Sequence, residues 1–108
     1  MTVETDAPTK LNDAVKTRIK SHIKEPPLYR VVFINDDKTT MEFVVESLVE
    51  IFNYNEEKAL EKTTEIHEQG SSVVATYSYE LAEQKGIEVT LAARSQGYPL
   101  QVRIEPEQ

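Results

Sequence analysis

The chain has 108 residues, 12 basic and 19 acidic side chains for a net charge of −7, and no cysteine. One domain is therefore expected, and disulfides, thiolate metal sites and a cysteine nucleophile are excluded. Residues 1–27 hold five basic and four acidic residues, so the remainder sums to −8, which argues against nucleic-acid binding and favours cationic partners or plain solubility.

Residues 1–27 read as a polar arm closed by Pro26-Pro27, which offer no donor to a sheet ladder. Leu11, Val15, Ile19 and Ile23 recur every four residues. The expectation is an arm without a fold of its own that orders on a partner; a docked helix is the alternative. Its first residues, Met1-Thr2-Val3-Glu4-Thr5-Asp6, lack the apolar core of a signal peptide. Nowhere does an apolar run approach the ~20 residues of a membrane span. A cytoplasmic protein with no membrane partner is expected.

The core domain is placed at 28–108. Leu28 to Ile34 is β-branched and aromatic and predicts a strand covered on both faces. Asn35-Asp36-Asp37 breaks it, and Thr39 or Thr40 can cap the next helix. That helix carries Met41, Val44, Val45, Leu48, Ile51 and Phe52 inward, and Glu42, Glu46 and Glu50 outward. Asn55 caps a second helix with Glu56 and Glu57 in its first turn, an inner face of Ala59, Leu60, Thr63, Ile66 and His67, and Gly70 at its end. Ser71 to Tyr77 predicts a second strand. Ser78 caps a third helix with a small-residue stripe of Ala82, Gly86, Val89 and Ala93. After Gly97-Tyr98-Pro99, Leu100, Val102 and Ile104 alternate with polar residues as a half-buried strand. The order βααβαβ predicts an α+β domain, a three-stranded, mainly antiparallel sheet packed against three helices.

The chemistry gathers at the acidic turn. Carboxylate and amide oxygens accept hydrogen bonds, so Asn35, Asp36 and Asp37 beside an apolar wall from Met41 and Val44 suit a ligand with an ammonium group and an apolar side chain. His67 and Thr63 share one face of the second helix and reach the turn if the helical hairpin closes. From spacing alone, ordinary turn and capping chemistry is the commoner explanation of the same residues. A metal site on Asp36, Asp37 and His67 lacks both the calcium-loop spacing and a second histidine. None of the serines sits in a nucleophile elbow, so an enzyme is not expected.

The run Tyr29-Arg30-Val31-Val32-Phe33-Ile34-Asn35-Asp36-Asp37, then Thr39 and Met41-Glu42-Phe43-Val44, resembles the ClpS adaptor family. So do His67 with Gln69-Gly70, the Glu80…Ala82-Glu83…Lys85 helix, Pro99-Leu100, and Pro26-Pro27 before the first strand. The resemblance spans residues 26–105 and implies an adaptor, not an enzyme, with no cofactor. Such an adaptor binds proteins whose first residue is Leu, Phe, Tyr or Trp. It delivers them to a ClpA or ClpC AAA+ unfoldase for degradation by ClpP. The implied fold is similar to the C-terminal domain of the ribosomal stalk protein.

By the same resemblance, Asn35, Asp36 and His67 hold the free α-amine. Ile34, Asp37, Thr39, Met41, Val44, Thr63, Ile66 and Leu100 line or flank the side-chain pocket, with Met41 as gatekeeper against β-branched residues. Glu80 and Lys85 meet the unfoldase. An imidazole accepts only through an unprotonated nitrogen, which ties amine capture to pH. Three positions depart from the family pattern: Thr63 replaces a frequent Met, Thr40 a frequent Pro, and Lys38 a common aromatic. The first shortens and polarises one wall, so the ranking among large apolar residues is expected to shift. A monomer is expected. The rival readings are an interaction module of the stalk-domain type without an amine pocket, and a small hydrolase using His67 and a carboxylate.

Overall fold

The computed structural model describes residues 26–108. The reading of the arm therefore lies outside the described residues, apart from Pro26 and Pro27. The elements are β1 (Leu28–Ile34), α1 (Met41–Glu50), α2 (Glu56–Gln69), β2 (Ser71–Ser78), α3 (Tyr79–Ser95) and β3 (Gln101–Pro106). This is the predicted βααβαβ order, and the sheet is antiparallel with β1 between β2 and β3.

The central place of β1 follows from its sequence. Val31 and Phe33 are fully buried in the core shared with the helices, and Val32, on the opposite face of the pleat, is buried as well. A strand covered on both faces at its centre needs consecutive apolar residues, which Val31-Val32-Phe33 supply. The register slips between Val31 and Val32: Val31 pairs with Ala75 but Val32 with Val73, leaving Val74 as a bulge. The Tyr54 hydroxyl, from the turn between α1 and α2, donates to the Val74 carbonyl at 2.6 Å, so the disrupted ladder keeps a partner there.

The helix boundaries have local causes. Thr40 is the N-cap of α1, its hydroxyl accepting from the Phe43 N–H at 3.1 Å, and Asn55 does the same for α2 with Lys58 at 2.7 Å. Gly70 closes α2 in the left-handed region at φ 91°, where a Cβ is penalised. Ser78 occupies the N-cap position of α3, but its side chain makes no capping hydrogen bond, contrary to expectation.

Two inward assignments on α2 also need correction. Leu60 is 57% exposed and His67 is exposed, while Phe43 and Ser47 are buried. The buried face of α2 is narrower than the apolar letters imply: Ala59, Thr63 and Ile66.

α3 packs across all three strands, α1 pairs with α2, and α2 leans on β2. Gly86 permits the close approach of α3 to β3, since a Cβ there would stand 3.2 Å from Ile104 Cδ1. The Ser72 hydroxyl donates to Glu65 Oε2 at 2.5 Å and accepts from Lys62 Nζ at 3.1 Å, fastening α2 to β2. Among the described residues no helix is long and apolar enough to cross a membrane.

Candidate functional site

The acidic turn is held from two directions. The Asn35 N–H donates to the Gly70 carbonyl at 2.9 Å, which sets the end of β1 beside the C-terminus of α2. His67 lies in the last turn of that helix. Asp36 then folds the turn onto itself. Its Oδ1 accepts from the Lys38 N–H at 2.8 Å and the Thr39 N–H at 2.7 Å, and its Oδ2 accepts from the Thr39 hydroxyl at 2.8 Å. Partial burial opposes the charge on Asp36. The two N–H groups, the Thr39 hydroxyl and the nearby Arg94 charge outweigh it and hold the carboxyl below its ordinary value of 3.8. A carboxylate oxygen has two lone-pair sites, so Oδ2 keeps one for a further donor.

The residues that the resemblance assigns to a side-chain pocket fall into two groups by depth. Met41, at the first position of α1, is 44% exposed, and Ile34 and Thr39 are half-buried, so these three can form a rim. Val44, Ile66 and Leu100 belong to one buried cluster, with Thr63 buried on the same face of α2 as Ile66. Met41 was read as facing inward with Val44; it is instead an exposed side chain at the start of α1. The Thr63 hydroxyl donates to the Ala59 carbonyl at 2.7 Å. It is satisfied within its own helix, which leaves the methyl group as the part of the side chain free for apolar contact. Asn35, Asp37 and His67 are exposed.

Glu80 and Lys85 both lie on α3 and differ in environment. Glu80 is exposed. Lys85 is half-buried and its Nζ donates to the Ile51 carbonyl at 2.9 Å, capping the C-terminal end of α1.

Tyr98 and Arg94 escaped the sequence reading. The Tyr98 ring meets Phe43 edge-on at 5.3 Å, and its hydroxyl lies 3.4 Å from that of Thr40. The one local signal was the Gly97-Tyr98-Pro99 turn itself. Among the described residues no group of three His, Cys, Asp or Glu side chains could hold a metal ion.

Fold and site together define a small α+β domain with hydrogen-bond acceptors gathered at one turn beside the end of α2. The family described as "ATP-dependent Clp protease adaptor protein ClpS" matches residues 24–103, and the chain belongs to that family. It is 43% identical over 98 residues to the ClpS adapter of Desulforapulum autotrophicum, covering 87% of this chain and 94% of that one. It is 41% identical over 101 residues to ClpS 1 of Bradyrhizobium diazoefficiens, covering 91% and 100%. The structure of Agrobacterium tumefaciens ClpS2 bound to L-phenylalaninamide is similar to it with a TM-score of 0.75 and 36% identity, over 77% of this chain and all of that one. The family is one of adaptors, not enzymes.

Proposed function

We propose that this protein captures the free N-terminus of substrate proteins beginning with a large apolar residue and delivers them to a Clp AAA+ unfoldase. The observation that carries this is the Asn35–Gly70 hydrogen bond, which brings Asn35 and Asp36 to the end of the helix that carries His67. A protonated α-amine has three N–H donors. The Asn35 side-chain carbonyl, the remaining Asp36 Oδ2 lone pair and an unprotonated His67 nitrogen are matching acceptors. Hydrogen bonds to a charged group are worth about 1.5–3 kcal/mol each, and burying a Leu or Phe side chain adds about 1.5–3 kcal/mol.

The phenylalaninamide bound to Agrobacterium ClpS2 is an aromatic amino-acid amide with a free α-amine, the same chemistry in small form. In this chain the side chain enters past Met41, beside Ile34, Asp37 and Thr39, toward Val44, Thr63, Ile66 and Leu100. Glu80 and Lys85, both on α3, form the face for the N-terminal domain of ClpA or ClpC. The protein works in the cytoplasm as a monomer. Fluorescence anisotropy with a Leu-starting peptide and its N-acetylated form tests the reading: the free amine binds far more tightly, and equal affinities would sink it.

A further inference from the structure

We propose that Arg94 is a positioning residue for this site: it clasps the loop between α3 and β3 and so sets side-chain selectivity. The inference rests on the amine-binding reading above. α3 ends with the Gly97 N–H donating to the Arg94 carbonyl at 3.0 Å and the Tyr98 N–H to the Ala93 carbonyl at 2.9 Å, the paired bonds of a Schellman motif. The chain then passes Pro99, which has no N–H, and reaches Leu100, 2% exposed. The carbonyls of Tyr98 and Leu100 accept from one guanidinium nitrogen, Arg94 Nη1, at 2.8 and 2.9 Å. That nitrogen carries two hydrogens and can serve both.

The loop is fastened at three places with different effects. The Schellman bonds fix where it leaves α3. Tyr98 fixes it against Phe43 and Thr40 at the start of α1. The Arg94 bond acts on the backbone of Leu100, the residue assigned to the pocket floor. Because both carbonyls are held by one nitrogen, their spacing is set, and with it the seat of the Leu100 side chain. The same cation also favours, through its charge, the ionised form of Asp36. An arginine in the last turn of a helix is ordinarily read as complementing the helix dipole. That reading predicts a small effect on stability and none on selectivity.

The experiment compares the full chain with Arg94→Met and Arg94→Lys, using labelled peptides beginning Leu, Phe and Ala and N-acetylated Leu, well below each variant's melting temperature. The ratio of the Ala to the Leu dissociation constant is expected to fall about fivefold in Arg94→Met, the equilibrium equivalent of one hydrogen bond. Discrimination against the acetylated peptide is expected to persist. Arg94→Lys, which keeps the charge and a compact set of donors, should lie between the two. Loss of stability alone would leave the ratio unmoved. An unchanged ratio in folded Arg94→Met, or in Arg94→Lys should the first variant not fold, overturns the role of Arg94. Wild-type protein that fails to distinguish free from acetylated Leu overturns the amine-binding reading itself.

Discussion

The N–H of Asn35 and the carbonyl of Gly70 are joined by a 2.9 Å hydrogen bond between the end of β1 and the end of α2. The carbonyl is placed for it because Gly70 turns the chain through a left-handed conformation on leaving the helix. Asn35 and Asp36 approach from one side of that bond, and His67 belongs to the helix on the other.

Replacing Gly70 by Ala isolates this joint. A Cβ there meets no atom within 4 Å, so space is not the obstacle. The left-handed backbone costs a side chain about 1–2 kcal/mol. Urea denaturation should show a loss of that size with an unchanged slope, and Leu-peptide affinity should fall with it. Gly70→Asn should lose less, because Asn tolerates that region better.

Asp36→Ala removes three internal hydrogen bonds and, on the proposed function, one acceptor for the α-amine. Peptide binding should weaken by at least about 1.5–3 kcal/mol, measured by anisotropy on protein shown to be folded. An unchanged dissociation constant would mean that Asp36 only shapes the turn.

The pH dependence has a definite sign. The folded Asp36 carboxyl lies below its ordinary 3.8. Hydrogen bonds from Ser72 and Lys62 and the Lys62 charge hold Glu65 below its ordinary 4.5, against a smaller desolvation effect. A carboxyl lowered on folding contributes stability above its unfolded value, and that stability is lost as pH falls through the folded one. Thermal melts should therefore show the Asp36 contribution intact at neutral pH and draining away below about pH 4. Asp36→Asn should be less stable at pH 7 and show a shallower acid decline. At the other end, peptide binding should weaken above about pH 8, where the α-amine loses its proton.

Glu80 and Lys85 should separate docking from stability. Glu80→Ala, at an exposed position, should stay within about 0.5 kcal/mol of wild type while weakening capture by an unfoldase N-terminal domain. Lys85→Met deletes the bond to the Ile51 carbonyl and should cost about 1 kcal/mol of stability as well. Paired melts and pull-downs would distinguish them.

Thr63→Met tests the wall. Thr63 is 2% exposed with its hydroxyl held by Ala59, so the longer side chain must displace packed neighbours or extend into the pocket. The first outcome costs about 1–3 kcal/mol. The second leaves stability near wild type and narrows the pocket, shifting preference from Phe and Trp toward Leu. Denaturation and the peptide series together decide between them.

Much of this was legible in one dimension because the signals are local. The strand from Leu28 to Ile34 declared itself by a nearly continuous apolar and aromatic run interrupted only by Arg30, and Asn55 and Gly70 marked the ends of α2 by chemistry that depends only on adjacent residues. The inner face of α2 was less legible. Periodicity placed Leu60 and His67 inward, but packing covers only the strip through Ala59, Thr63 and Ile66. How wide a strip is buried depends on the curvature of the partner surface, which no helical period encodes.

The sequence by itself determined the order of the elements, the family resemblance and the residue types able to accept an ammonium group. Those follow from backbone preferences and side-chain chemistry that each residue carries with it. Only the tertiary structure decided that the Thr63 hydroxyl is taken up within α2, that Lys85 caps α1, and that Arg94 reaches the carbonyls flanking Pro99. A donor commits to one acceptor among many, and which one lies within reach is settled by how the helices and the sheet pack.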